Sequence, residues 1–162
     1  MRGLVVILLC AMIVISGCLK KADCAYKNEN KVAPVAEEQA LLNYLTANNI
    51  TATKHGNNMY YEVVTPGAGA VAGLCSDVHI KYEGRLTNGS LFDSSTNRTF
   101  QLGRLIEGWK VGLPLIKPGG RILLYIPPSL GYGAADIKDN RGVVVIPANS
   151  IIVFDVSLLD VR

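Results

Sequence analysis

Aromatic residues are scarce in this chain: its 162 residues include 3 Phe, 1 Trp and 7 Tyr, or 7%. An aromatic-lined site must draw on that small pool, so the places where the rings fall carry information. Excess charge is scarce too. Lys and Arg number 16 against 13 Asp and Glu, a net charge of +3, and no basic run is longer than Lys20-Lys21. A nucleic-acid binder needs a one-sided positive field, so no nucleic acid is expected as a partner. His55 and His79 are the only histidines. Neither stands at ligand spacing from a second metal-binding residue type, so no metal site is expected. No serine lies in a Gly-x-Ser-x-Gly elbow and no cysteine has a convincing histidine partner, which argues against a hydrolase. No cofactor is expected.

Apolar residues are plentiful, at 49% of the chain with a mean hydropathy of +0.27. That is too apolar for disorder, and the length allows one ordinary domain. The excess is uneven: after Met1-Arg2, residues 4–15 form an almost unbroken apolar run ending in Ser16-Gly17-Cys18. A helix needs about 20 apolar residues to cross a hydrocarbon core of ~30 Å. A shorter run with a charged start and small residues at its end fits a secretory signal. Ile15-Ser16-Gly17-Cys18 resembles the bacterial lipobox, with Ile in place of the more usual Leu. An ordinary signal peptide is the plainer reading; the lipobox favours a lipoprotein signal over 1–17 with lipid on Cys18. Acyl chains contribute ~0.8 kcal/mol per buried CH₂ and would tether the domain to a membrane of the bacterial cell envelope, facing the periplasm or the outside. Cys10 leaves with the signal. Cys24 and Cys75 remain in an oxidising compartment, either paired with each other or with Cys75 as a buried thiol.

Residues 18–34 are polar, lysine-bearing and without period, as in a flexible tether. Pro34, then Glu37 and Glu38, then Ala40, Leu41, Tyr44 and Leu45 at three-and-four spacing predict an amphipathic helix, which opens an N-terminal helical extension over 35–56. The main domain is expected over 57–162. A Tyr- and Val-rich strand at 58–65 runs into Pro66-Gly67. Gly67-Ala68-Gly69 superficially fits a dinucleotide turn, but that turn must open a helix, whereas 74–82 reads as a strand. There Val78, Ile80 and Tyr82 alternate with His79, Lys81 and Glu83, so one face is buried and one wet. Asn88-Gly89 is a hairpin turn. Residues 105–109 open a core helix that Lys117-Pro118-Gly119-Gly120 ends. A strand follows at 121–126, a long loop runs from Pro127 to Pro147, and the last strand spans 151–161 with Ile152, Phe154, Val156 and Leu158 on one face.

Five segments, in order, carry a specific likeness: Tyr82-Glu83-Gly84; Gly89 through Phe92-Asp93-Ser94-Ser95; Ile106-Glu107-Gly108-Trp109; Ile126-Pro127-Pro128 with Gly131-Tyr132-Gly133; and Val153-Phe154-Asp155-Val156. Together they resemble the signature of the FKBP-type peptidyl-prolyl cis-trans isomerases, over roughly 60–162. The helix and the lipoprotein signal before them resemble those of exported bacterial members. The resemblance implies an α+β fold, a five-stranded antiparallel half-barrel sheet wrapped around one short α-helix and preceded by an N-terminal helix. It also implies rotation of X-Pro bonds in proline-containing polypeptides, and macrolide inhibitors as ligands.

Carried over residue by residue, the likeness puts Trp109 at the floor of a pocket, Tyr82, Phe92, Phe154 and Ile146 in its walls and Leu105 and Ile106 at its rim. Asp93 and Tyr132 are its polar handles, and the Ile106 N–H and the Tyr132 hydroxyl are the expected donors to carbonyl oxygens. Phe100 is assigned to substrate binding, although the short 96–103 segment makes it match a strand phenylalanine more naturally than a wall. Arg98 matches an arginine that pairs with the pocket aspartate. Asp93 has two roles open, in the chemistry or in fixing its neighbours' side chains. Tyr60, Tyr61 and Tyr125 read as core or outer-face residues. The alternatives to an isomerase are an envelope-anchored peptide-binding chaperone with little turnover and a structural lipoprotein.

Overall fold

A computed structural model describes residues 24–27 and 29–162, so the signal expected at 1–17 and the lipid-attachment residue Cys18 lie outside the described residues. The helix read from Pro34 onward is α1 (Val35–Ala47). Proline suits its start, because the N–H it lacks would have had no partner within the helix. The strands are β1 (Thr53–Lys54), β2 (Tyr60–Thr65), β3 (Asp77–Leu86), β4 (Leu91–Gln101), β5 (Gly120–Ile126) and β8 (Ile152–Val161), and they form one antiparallel sheet in the order β1-β2-β5-β8-β3-β4. Five long strands match the expected half-barrel; the two-residue β1, paired to Tyr60 and Tyr61, makes a sixth at the edge. Within the long loop from Pro127 to Pro147, β6 (Ile137–Lys138) and β7 (Val144–Ile146) pair as a separate ribbon.

The alternation in β3 is realised: Val78, Ile80 and Tyr82 are buried between β4 and β8 while Lys81 and Glu83 are exposed. On that concave side lies α2 (Glu107–Gly112), which carries Trp109. It is shorter than the helix expected to run to Lys117, because Gly112 leads into a single 3₁₀ turn, Leu113–Leu115, whose Pro114 has no N–H to continue an α-helix. Two glycines let α2 close on the sheet. A Cβ on Gly108 would come within 2.5 Å of Ile126, and one on Gly112 within 2.6 Å of Leu124.

The other face of the sheet is also covered. Leu41 and Leu45 of α1 pack with Tyr60 and Tyr125 in a second, smaller core, with Leu123, Ile151 and Val153 at its margin. The Tyr60 hydroxyl donates to Glu38 of α1 at 3.3 Å, and Glu37 accepts the Ser129 N–H at 2.8 Å. This bond ties the first turn of α1 to the loop that bears Tyr132.

The described part of the segment expected as a flexible tether over 18–34 carries fixed contacts. Cys24 and Cys75 form a disulfide, and Ala33 is buried with its N–H donating to the Asn57 carbonyl at 3.0 Å. Of the two alternatives for Cys24 and Cys75 the paired one is realised, whereas the Ala33 contact left no sign in the composition, its partner being distant in sequence. Among the described residues no helix is long and apolar enough to cross a membrane.

Candidate active site

Between α2 and the concave face of the sheet is a cavity of about 160 Å³, lined by Tyr82, Asp93, Phe100, Leu105, Ile106, Trp109, Tyr132 and Phe154. β3 supplies Tyr82, β4 Asp93 and Phe100, β8 Phe154, α2 Trp109, and the loop after β5 Tyr132. Trp109 is the hub. Its ring meets Phe154 at a centroid distance of 4.8 Å and 82°, Tyr82 at 5.2 Å and 81°, and Phe100 at 6.4 Å and 82°. Edge-to-face rings match positive edge to negative face, contributing ~0.5–1.5 kcal/mol per pair beyond burial. The mutual packing fixes the wall without a ligand.

Phe100 is a strand residue, opposite Val78, and it also lines the cavity. This follows from β4 running unbroken from Leu91 to Gln101, with a bulge opposite Ile80 and Tyr82. Phe92 and Ile146, expected as walls, are not among the residues that line this cavity. Phe92 packs edge-on against Phe154 at 5.5 Å and Tyr132 at 6.2 Å, and Ile146 is buried in the main core from β7. Arg98 makes no ion pair with Asp93 among the described residues; its guanidinium lies over the Phe100 ring at 5.6 Å, a cation–π contact. Asp93 is held by Tyr82, whose hydroxyl donates to its Oδ2 at 2.8 Å.

Three polar groups remain on offer. The Tyr132 hydroxyl and the Ile106 N–H have no hydrogen-bond partner among the described residues. The Ile106 carbonyl, by contrast, is engaged by the N–H groups of Trp109 and Lys110 at the start of α2, which fixes the residue while leaving its donor unused. The third is the buried Trp109 Nε1, which has no partner either. Burial pushes the Tyr82 phenol up to about 12, helped by its bond to Asp93. Tyr132 is raised by burial and then by the Asp93 charge. Both stay protonated donors at neutral pH.

Gly84, in the middle of β3, is a further determinant of the wall. A Cβ on Gly84 would stand 2.5 Å from Phe154 Cε1 and 2.7 Å from Phe92 Cζ, so the wall rings occupy the space of the missing side chain. The signal was a glycine in the middle of a strand, which marks close approach.

Residues 71–159 match the family model described as FKBP-type peptidyl-prolyl cis-trans isomerase. This chain belongs to that family. The FKBP-type peptidyl-prolyl cis-trans isomerase FkpA of Escherichia coli K12 is 44% identical over 108 residues, 64% of this chain and 38% of that one. The peptidyl-prolyl cis-trans isomerase Mip of Coxiella burnetii is 38% identical over 125 residues, 74% of this chain and 52% of its own. This FKBP-type chain thus spans about a third to a half of the curated relatives it matches. Among solved structures, Escherichia coli FkpA superimposes with a TM-score of 0.67 at 36% identity, covering 79% of this chain and 60% of that one. An isomerase from Pseudomonas syringae gives 0.67 at 28% identity, covering 80% and 97%. Among the described residues no group of three or more metal-binding side chains comes together.

Proposed function

We propose that this chain is a peptidyl-prolyl cis-trans isomerase that accelerates X-Pro rotation in exported polypeptides by taking the proline ring into the Trp109 cavity. The observation that carries this reading is the cavity itself, with aromatic and aliphatic walls and two unused donors at its edge. An apolar cavity of about 150 Å³ holds a benzene ring, so this one has room for a five-membered ring.

The chemistry needs no nucleophile. Rotation about the amide breaks its resonance, which sets a barrier of ~18–20 kcal/mol and a timescale of tens to hundreds of seconds for X-Pro bonds. A planar amide is more polar than a twisted one. Moving it from water into the Trp109–Phe154–Tyr82 enclosure therefore raises the planar form relative to the twisted form. In this reading the Tyr132 hydroxyl and the Ile106 N–H donate to carbonyls of the peptide and hold it while the bond turns. Lowering the barrier by about 5.5 kcal/mol gives about ten-thousand-fold acceleration. In this scheme Asp93 accepts from the Tyr82 hydroxyl, holding that ring in the wall, and transfers no proton.

A protease-coupled assay on a short X-Pro peptide, with and without a macrolide inhibitor of the family, tests the proposal. Acceleration that the macrolide abolishes is expected. Peptide binding without faster exchange would instead select a peptide-binding chaperone. Export and anchoring through Cys18 are part of the same proposal; labelled fatty acid should enter the protein in bacterial cells and be lost in Cys18→Ser.

A further inference from the structure

We infer that Tyr26, outside the cavity and ahead of α1, is a positioning residue for the cavity rim; only its kinetic consequence rests on the isomerase reading above. The rim follows a three-residue 3₁₀ turn, Leu102–Arg104, which joins the wall residue Phe100 to Leu105 and Ile106. A turn of that length has few bonds of its own and poor hydrogen-bond geometry: the Leu105 N–H donates to the Leu102 carbonyl at 3.1 Å. Tyr26 supplies what is missing. Its hydroxyl donates to Gln101 Oε1 at 2.9 Å and accepts from Arg104 Nε at 2.8 Å, so one group bridges the residue before the turn and the turn's last residue. Its ring covers Gly103, where a Cβ would lie 2.3 Å from Tyr26 Cγ and 2.7 Å from each Cδ.

The same turn is gripped through the backbone of residues 74–76. The Leu102 N–H donates to the Ser76 carbonyl at 3.0 Å and the Gly103 N–H to the Leu74 carbonyl at 2.7 Å. Between those two acceptors is Cys75, the disulfide partner of Cys24. Tyr26, two residues beyond Cys24, is thus covalently anchored to the strand entry that holds the turn. Cys24, Tyr26, Gly103 and Cys75 close a ring of contacts around the segment that sets where Leu105 and Ile106 stand. All three contacts of Tyr26 fall on the four residues that lead directly into the rim.

Tyr26→Phe in the full chain keeps the ring on Gly103 and removes both hydroxyl bonds. The expected result is a KM for an X-Pro peptide raised about five-fold, the factor carried by one ordinary hydrogen bond, with kcat within about two-fold. Amide exchange at Gly103 and Leu105 should quicken by a similar factor while that of Val156 in the core stays unchanged. Unchanged exchange at the turn, or an equal rise throughout the domain, would overturn the inference, as would a kcat loss without a KM change. If the native chain itself fails to accelerate isomerisation, the isomerase reading falls, and the exchange comparison still decides the role of Tyr26.

Discussion

Replacing Trp109 with leucine is the most direct perturbation of the site. The side chain is 4% exposed and touches Phe154, Tyr82 and Phe100, so the change removes both the cavity floor and three ring contacts. Complete truncation of a buried Trp costs about 3–5 kcal/mol, and leucine returns part of that volume, leaving a cost of about 2 kcal/mol. Domains of this kind hold about 5–15 kcal/mol, so the fold should persist. Catalysis should suffer more. A proline ring brings three methylenes into the cavity, worth about 2.4 kcal/mol of burial; losing between half and all of it lowers kcat/KM by about 8- to 60-fold. The assay is protease-coupled isomerisation, with urea unfolding followed by far-UV circular dichroism, since the variant has no tryptophan to report on. A folded Trp109→Leu protein with kcat/KM within about two-fold of the native value would refute the assignment of this cavity as the site.

Gly84→Ala should push the Phe154 and Phe92 rings into the cavity, costing about 1–3 kcal/mol as overpacking does and weakening macrolide binding; a crystal structure with both rings unmoved would contradict this. The Cys24 and Cys75 pair, 51 residues apart, closes a loop whose constraint contributes about 4 kcal/mol on the chain-entropy account. The double serine variant should lose up to that amount in urea unfolding under non-reducing conditions, and a loss below about 0.5 kcal/mol would deny the bond a structural role. Tyr82 and Tyr125 are both raised to about 12 by burial, so the folded chain keeps two protons that the unfolded chain releases near 10. Stability is therefore full below pH 10 and falls as pH rises from 10 to 12; urea midpoints that stay level across that window, with all phenols ionising together, would count against it.

Local chemistry made most of the frame readable. The period-2 alternation of Val78, Ile80 and Tyr82 says which face of β3 is buried, whatever it packs against. Pro34, Asn88-Gly89 and Lys117-Pro118-Gly119-Gly120 punctuate the chain through backbone restrictions that belong to the residues themselves. The family segments place Tyr82, Asp93, Trp109, Tyr132 and Phe154 in the right order, and all five line one cavity.

Other features have no local cause. The hydrogen bond of Tyr26 to Gln101 spans 75 positions and that of Glu37 to the Ser129 N–H spans 92. Neither leaves a periodic trace, so residues 18–34 read as a flexible tether and α1 as the start of a helical extension. Arg98 matches an arginine that pairs with Asp93, yet it stands beyond the bulge that shifts the register between Ser95 and Arg98, and its guanidinium lies over Phe100, two residues on along the same face of β4. Phe92 and Ile146 were apolar enough for the wall. Phe92 packs on the wall rings Phe154 and Tyr132, and Ile146 joins the main core from β7. The sequence by itself determined which residues turn inward, because that follows from spacing along one strand or helix. Only the tertiary structure decided which inward residues meet, because that depends on how distant segments are brought together across the sheet.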